Sequence, residues 1–146
     1  MGYKVIKMVS HSDLATQFAQ GKIKGKGNSM FIDEDTIYSY GYHFPVAVRY
    51  NKYGIDYLFN SLGYSPSTGC HKSYVFRAIT GVVLQIRDCD VSKARVQIKS
   101  NKDEITEYED KLTRARADNS ITCYKNRIEH LKEQNKLLEK FVPQNE

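Results

Sequence analysis

The sequence predicts an α+β fold in which a small antiparallel β-sheet, a meander covered by helices, is followed by a C-terminal antiparallel α-helical hairpin. Two hydrophobic periods predict it. Between residues 29 and 60 apolar and polar residues alternate, as in half-buried strands, whereas after residue 90 apolar residues recur in heptads. We therefore expect a globular domain over residues 1–90 and a coiled-coil arm over residues 91–146.

Size, charge and cysteine content exclude several classes of protein. The chain has 146 residues, 40% of them hydrophobic, which is enough for one core. No apolar run approaches the length that crosses a membrane, so we expect a soluble, cytoplasmic protein with no membrane partner. The net charge of +5 is too mild to indicate nucleic-acid binding by itself. Cys70, Cys89 and Cys123 lack CxxC spacing, so neither a disulfide framework nor a metal site is expected, and no cofactor is implied.

The N-terminal segment predicts a short helix and then a loop. Ser12 precedes DLATQFAQ, and Gly21 follows it, so the segment has an N-cap and a C-terminal glycine. Leu14 and Phe18 share one face of this helix. Residues 21–29, GKIKGKGNS, hold three glycines and three lysines and predict a flexible basic loop. This loop is not a P-loop, because GxxxxGK[ST] is absent.

An aromatic stretch, IYSYGYHFPVAVRYN at residues 37–51, predicts strands interrupted by a bend. Phe31 lies opposite Tyr38 in a hairpin with the turn DEDT, and a tight turn is expected at Gly41 to His43. The even positions are all aromatic or aliphatic: Tyr38, Tyr40, Tyr42, Phe44, Val46, Val48 and Tyr50. Because this set continues into valines, we expect it to form core beneath a helix. The alternative is a platform that stacks bases, which needs exposed aromatics beside basic residues.

The next strand is IDYLFN at residues 55–60, which follows a turn at Asn51 to Gly54. In this register Tyr50 faces Ile55, and Arg49 faces Asp56 as a cross-strand ion pair.

A helix from about Cys70 to Arg87 is expected to cover the sheet. It is entered through the loop LGYSPSTG, whose Ser67 and Thr68 are good N-caps. Its core-facing stripe recurs at spacings of three and four: Tyr74, Val75, Ala78, Ile79, Val82, Val83 and Ile86.

Two heptad series after Asp90 are separated by a break at ADNS. If the chain turns back near Asp118, Asn101 meets Asn135, and these are the only two polar core positions of the series. A buried Asn without a partner would cost about 1 to 3 kcal/mol, so this match predicts the register of an antiparallel hairpin. The alternative is one continuous helix that assembles in parallel into a homodimer or higher oligomer.

Two histidines are placed where binding chemistry is plausible. His43 lies at the bend of the aromatic stretch, and His71 lies in the first turn of the covering helix. With Ser67, Thr68 and the helix N-terminal amides they would converge on an anionic ligand. The alternative is that His71 bonds within the core and His43 shapes the turn.

Basic residues form a second candidate site, for nucleic acid or a partner protein. The residues are Lys22, Lys24 and Lys26 in the glycine-rich loop, and Arg114 and Arg116 at the tip of the hairpin. Solvated charge is the alternative explanation.

Motifs of catalysis are missing. The sequence has no GxSxG, no HExxH and no paired-carboxylate spacing, so we do not expect an enzyme. One catalytic alternative is a metal-independent RNase in which His43, His71 and a lysine act as general acid and base.

The segment NSMFIDEDTIYSYGYHFPVAVR resembles a pattern of small uncharacterised proteins from phages and mobile elements. The resemblance covers about residues 28–78 and rests on Asn28, Phe31, Thr36 to Gly41, His43 to Ala47 and His71. It implies a phage-type accessory protein, for which interference with host nucleases or with nucleotide-signalling defence is a common role.

These observations lead to three functional hypotheses. The first is a non-catalytic anti-defence inhibitor that binds a host nucleic-acid machine, such as a CRISPR effector, or its nucleic acid. Its partner would be a host defence protein or nucleoprotein complex. The second is a sponge that sequesters a cyclic or signalling nucleotide around His43 and His71. The third is the RNase.

Overall fold

The computed structural model describes residues 7–63 and 65–143. The chain divides into two compact units, Met1–Cys89 and Asp90–Glu146. The first unit contains a mostly antiparallel six-stranded sheet with two helices, and the second contains two long helices packed together. The predicted fold class is therefore confirmed. Within the described ranges, no helix is long and apolar enough to cross a membrane.

The strands of the first unit lie in the sheet in the order of the chain. Neighbouring strands are antiparallel except for β5 and β6, which are parallel. The elements are α1 His11–Ala19, β1 Lys24–Lys26, β2 Met30–Asp33, β3 Thr36–Ser39, β4 Pro45–Lys52, β5 Ile55–Asn60, α2 Pro66–Ala78 and β6 Val83–Ile86.

The β2–β3 hairpin has the predicted register but presents the opposite face to the core. Phe31 pairs with Tyr38, as expected. The buried side chains, however, are those of Met30, Ile32, Ile37 and Ser39. The face that carries Tyr38, Tyr40 and Tyr42 is consequently the outer one, and the expectation that these tyrosines form core beneath a helix is wrong. The same expectation is confirmed for Phe44 and Val46, which are buried in the core. Alternation shows that a strand has two faces, but it does not show which of them a helix will cover.

Strand β1 replaces the flexible loop predicted over residues 21–29. Strand β1 pairs with the last three residues of β2, and Gly25 lies opposite Ile32 on the core face. A Cβ on Gly25 would lie 2.8 Å from Leu14 Cδ1, so glycine at this position lets α1 pack directly on the strand. The N-cap of α1 is Ser10, whose Oγ accepts a hydrogen bond from Asp13 N, rather than the predicted Ser12.

The β4–β5 register differs from the predicted one by a single residue, because the ladder is irregular between Arg49 and Lys52. Arg49 therefore pairs with Tyr57 instead of Asp56. Its guanidinium donates to the backbone oxygens of Phe18 and Glu34 and lies 4.7 Å from the centre of the Phe18 ring. The side chain is only 10% exposed, and it joins α1 to the β2–β3 turn rather than forming a cross-strand ion pair.

Helix α2 is shorter than predicted and ends at Ala78. Its N-cap is Ser65, with Pro66 in the first turn, so Ser67 and Thr68 lie inside the helix. Two of the apolar residues that extended the helical pattern, Val83 and Ile86, belong instead to β6, which follows Gly81 at φ +97°. A short apolar run fits both the helical period of 3.6 residues and the strand period of two. Only Gly81 marks the change from helix to strand.

The second unit is the predicted antiparallel hairpin. Helices α3, Ala94–Arg114, and α4, Asp118–Leu138, are joined by three residues, and Ala115 and Ala117 are extended. Asn101 Nδ2 donates to Asn135 Oδ1 at 2.9 Å, and both residues are buried. The predicted register is thus confirmed. Ile105, Ile128 and Leu131 form the adjoining apolar core, with Tyr108 and Leu112 packed against it.

Candidate functional site

An aromatic cluster occupies the outer face of the sheet at β2, β3 and the turn after β3. The rings of Phe31 and Tyr38 stack with centroids 5.0 Å apart and an interplanar angle of 20°. The Tyr42 ring lies edge-on to both, at 4.9 Å from each centroid. Tyr42 is 66% exposed. We call these three residues the aromatic platform. Phe31 and Tyr38 are partly exposed, so the aromatic platform presents aromatic surface to solvent, as stacking with a base requires.

Charged residues border the aromatic platform on the edge strand β1. Lys26 pairs with Phe31, and Lys24 pairs with Asp33. Asp33 accepts hydrogen bonds from Lys24 Nζ at 2.6 Å and from the Tyr42 hydroxyl at 2.8 Å. These bonds, first that of Lys24, lower the pKa of the Asp33 carboxyl, and the bond to Asp33 raises the pKa of Tyr42. The Lys24 charge is therefore offset by Asp33, whereas Lys26 is exposed beside the ring of Phe31.

A cleft of about 360 Å³ adjoins the aromatic platform. This volume is at the lower end of the range of small-molecule sites. Its lining includes Lys26, Asn28, Ser29, Phe31, Tyr40 and Tyr42. The cleft is thus bordered by aromatic rings, small polar side chains, two lysines and Asp33.

A chain of hydroxyl and imidazole groups runs from this cleft into the interior. His71, which is 3% exposed, places Nδ1 at 2.7 Å from Ser39 Oγ and Nε2 at 3.0 Å from Ser29 Oγ. Ser39 Oγ in turn lies 3.2 Å from Thr68 Oγ1. Ser29 Oγ also lies 3.3 Å from His11 Nε2. We call Ser29, His71, Ser39 and His11 the serine–histidine cluster.

The electrostatics of the serine–histidine cluster favour neutral imidazole at His71. Burial lowers the pKa of His71, and the neighbouring His11, whose ring centroid is 4.6 Å away, lowers it further. A neutral imidazole has one donor and one acceptor nitrogen. Nδ1–H donating to Ser39 would leave Nε2 to accept from Ser29, and this tautomer satisfies both contacts.

Of the predicted anion-binding residues, the structure joins His71 to Thr68 through Ser39. Ser67 is exposed in the first turn of α2, and His43 is exposed in the turn between β3 and β4. Convergence of His43 on His71 stays a prediction, whereas His11 is the histidine whose ring packs against His71.

The predicted basic residues are distributed over both units. Lys22, Lys24 and Lys26 are exposed in the first unit. In the second unit Arg116 is exposed and Arg114 donates to Asp110 at 2.8 Å. Only Lys24 and Lys26 line the cleft.

Sequence reasoning missed His11 and Ser29. His11 and Ser29 flank segments assigned as helix start and loop, and each becomes a partner of His71 only through tertiary contact. Ser39 did carry a signal, because a serine on the buried face of a strand needs a hydrogen-bond partner there.

The described residues contain no group of three His, Cys, Asp or Glu side chains that could hold a metal ion. Cys70, Cys89 and Cys123 are free. Comparisons with protein families, with curated proteins and with solved structures find no match. The aromatic platform, the cleft and the serine–histidine cluster are therefore the features of the described residues that bear on function.

Proposed function

We propose that this chain binds single-stranded nucleic acid, with bases stacked on the aromatic platform. It would act by covering the strand and not by catalysis. The observation that carries the proposal is the outer-face position of Phe31, Tyr38 and Tyr42 beside the lysines of β1. Aromatic rings on a sheet face next to basic side chains are the arrangement with which many proteins bind unpaired bases.

The arrangement of charge supports modest affinity without sequence preference. Lys26 is exposed next to Phe31, Lys22 is exposed nearby in sequence, and Lys24 is already paired with Asp33. Few free cations mean few phosphate contacts, so stacking would supply most of the binding free energy. Binding should consequently weaken only moderately as salt is added.

The biological setting follows from the resemblance to phage proteins. A phage-type accessory protein that binds exposed single strands would inhibit a host nucleic-acid machine, such as a CRISPR effector, by docking on it or on its nucleic acid in the cytoplasm. Pull-down from infected or effector-expressing cells should then recover a large nucleoprotein complex. Recovery of the protein alone from several hosts would contradict the inhibitor role, while leaving nucleic-acid binding to be tested directly.

Fluorescence anisotropy with a labelled oligothymidylate at low salt tests the binding itself. Tyr42→Ala should weaken binding by about 5- to 150-fold, since loss of one stacked base costs about 1 to 3 kcal/mol. Tyr53→Ala is the matched control, because Tyr53 is 68% exposed but lies on the β4–β5 turn. Equal affinities of the two variants, or no binding by the unmodified protein, would contradict the proposal.

The cleft supports a second candidate, the nucleotide sponge. Its volume of about 360 Å³, with Tyr40 and Tyr42 in its lining, would accommodate the base and sugar of one nucleotide. Protein purified from cells that make a signalling nucleotide should release an ultraviolet-absorbing compound on heat denaturation. A supernatant without ultraviolet absorbance from such a preparation would favour the strand-binding proposal over the sponge.

A further inference from the structure

The serine–histidine cluster has the connectivity of a nucleophilic relay. Ser29 Oγ lies 3.0 Å from His71 Nε2, and His71 Nδ1 lies 2.7 Å from Ser39 Oγ. A nucleophile and a base within hydrogen-bond reach, with the base held by a third group, define a nucleophilic relay of this kind. The three residues come from different parts of the chain: the segment before β2, the end of β3 and the helix α2.

The two ends of the relay differ in access to solvent. Ser39 is 1% exposed and lies at the inner end, where Thr68 Oγ1 is within 3.2 Å. Ser29 is partly exposed and lines the cleft next to Asn28. A substrate in the cleft would therefore meet the serine that contacts Nε2, while the serine that orients Nδ1 stays buried.

A second imidazole faces the same oxygen. His11 Nε2 lies 3.3 Å from Ser29 Oγ, so Ser29 can donate to His71 and accept from His11 at once. A donor to Ser29 Oγ stabilises negative charge that develops there when its proton leaves. The other titratable group against the His71 ring is Tyr40, with a centroid distance of 5.3 Å, and Tyr74 lies against His11.

We propose that Ser29 is the nucleophile of a hydrolytic site for uncharged carboxylic esters that carry an aromatic ring, with His71 as the general base and Ser39 as a positioning residue. This inference goes beyond the proposed binding function and does not depend on it. The cleft favours an aromatic ring because Phe31, Tyr40 and Tyr42 line it. It favours an uncharged substrate because Asp33 offsets Lys24, so that Lys26 alone among the lining residues is left to attract an anion.

The chemistry balances with water as the only co-reactant. Ser29 Oγ bonds to the ester carbonyl carbon and its proton passes to His71 Nε2, while Nδ1–H continues to donate to Ser39. The carbon–oxygen bond to the alcohol then breaks, and the alcohol leaves with the proton from Nε2. Water next attacks the acyl carbon and gives a proton to His71, which returns it to Ser29 as the acid leaves.

An uncharged fluorophosphonate probe tests the site, with the adduct located by peptide mass spectrometry. We expect one adduct, on Ser29, and none in Ser29→Ala. Ser12→Ala, which removes an exposed serine of α1, should label like the unmodified protein. His71→Asn should slow labelling by about 100-fold or more, the usual contribution of a general base. No adduct, an adduct elsewhere, or unchanged labelling of a folded His71→Asn variant would overturn the proposal.

The pH dependence of labelling covers the case in which His71→Asn does not fold. In the unmodified protein the labelling rate should rise as His71 loses its proton, with a midpoint below the ordinary histidine value of about 6.5. Ser39→Ala should lower the rate and shift this midpoint, which a merely structural role would not do. A flat profile between mildly acidic and neutral pH would overturn the proposal. Tyr38 belongs to the aromatic platform but does not line the cleft, so loss of oligothymidylate binding in Tyr38→Ala with Ser29 labelling retained would separate the two proposed functions.

Discussion

The two units of this protein encode their structures in different ways. The hairpin of α3 and α4 repeats one spacing, and each core position contacts a residue that the heptad pattern already indicates. The sheet unit depends on single contacts between distant segments, such as Arg49 with the backbone of α1 or Ser39 with His71 of α2. A repeating pattern can lose one contact and keep its register, whereas the sheet unit has particular residues without substitutes.

The largest effect is expected from a substitution of Gly81. Such a substitution would disturb one of the single contacts on which the sheet unit depends. The φ of Gly81 is +97°, and a Cβ there would overlap the carboxylate of Asp56, which accepts a hydrogen bond from Val82 N. Gly81→Ala should lower the free energy of unfolding of the sheet unit by about 2 to 3 kcal/mol, from backbone strain plus the disturbed bond.

Urea denaturation with hydrogen exchange resolved by segment measures this change in each unit separately. Gly63→Ala provides a control, because a Cβ at Gly63 meets nothing within 4 Å. Equal stability of the Gly81 and Gly63 variants would show that the β5–β6 connection tolerates a side chain.

A smaller effect is expected at the layer of the hairpin that Asn101 and Asn135 form. Asn101→Leu leaves Asn135 Oδ1 without its donor, and the hairpin should lose about 1 to 3 kcal/mol. Asn101→Leu combined with Asn135→Leu should recover most of that loss, because both polar groups are then gone. A double-mutant cycle by chemical denaturation gives the coupling energy, and a coupling near zero would contradict the layer.

The asparagine pair of the hairpin and the core face of the sheet show how far the sequence predicts the structure. The Asn101–Asn135 pair follows from the heptads because helical neighbours are fixed by spacing. In the sheet, the pairing of Phe31 with Tyr38 is correctly predicted, but the choice of core face is not. That choice depends on where α1 packs, and α1 packs on β1, which has no hydrophobic pattern of its own.

The candidate sites show the same division. His71 stands out because it is a polar residue on an apolar helical stripe, and Thr68 because it lies near a helix start. Their partners Ser29 and His11 lie in segments without periodicity, so no spacing relates them to α2. The chemistry of the serine–histidine cluster is a tertiary property that the sequence does not express locally.

A third prediction concerns the pH dependence of stability, which each unit should show through its own histidine. Burial lowers the pKa of His71 in the folded state, so the unfolded chain binds a proton more readily. Stability should be fully present above the ordinary value of about 6.5 and decrease as pH falls from there through the lower folded pKa. The exchange protection of the sheet unit, measured between neutral and mildly acidic pH, should decline accordingly.

Burial also lowers the pKa of His130 in the hairpin, so each unit must be measured by its own segments. His71→Asn should flatten the decline of the sheet unit and leave that of the hairpin unchanged. An identical decline in both units of that variant would show that His71 is not the titrating group.

The smallest effect is expected on the surface of the hairpin. Lys99 and Asp103 are an exposed i, i+4 pair with Nζ and Oδ2 3.4 Å apart. Lys99→Ala should change the free energy of unfolding by no more than about 0.5 kcal/mol, and added salt should remove the difference. A loss comparable to that of Asn101→Leu would mean that surface pairs stabilise the hairpin as much as its core.

Asn101 and Asn135 specify which core layers of α3 and α4 pack together. They do not specify whether α3 and α4 belong to the same copy of the chain. Two copies that exchange α4 would form the same Asn101–Asn135 bonds in the same register, and the short connection at Ala115–Ala117 is the only part of the hairpin that would differ. The connection would therefore set the balance if a domain-swapped dimer formed beside the closed hairpin. A concentration-dependent equilibrium between these two forms would preserve every core contact of the arm.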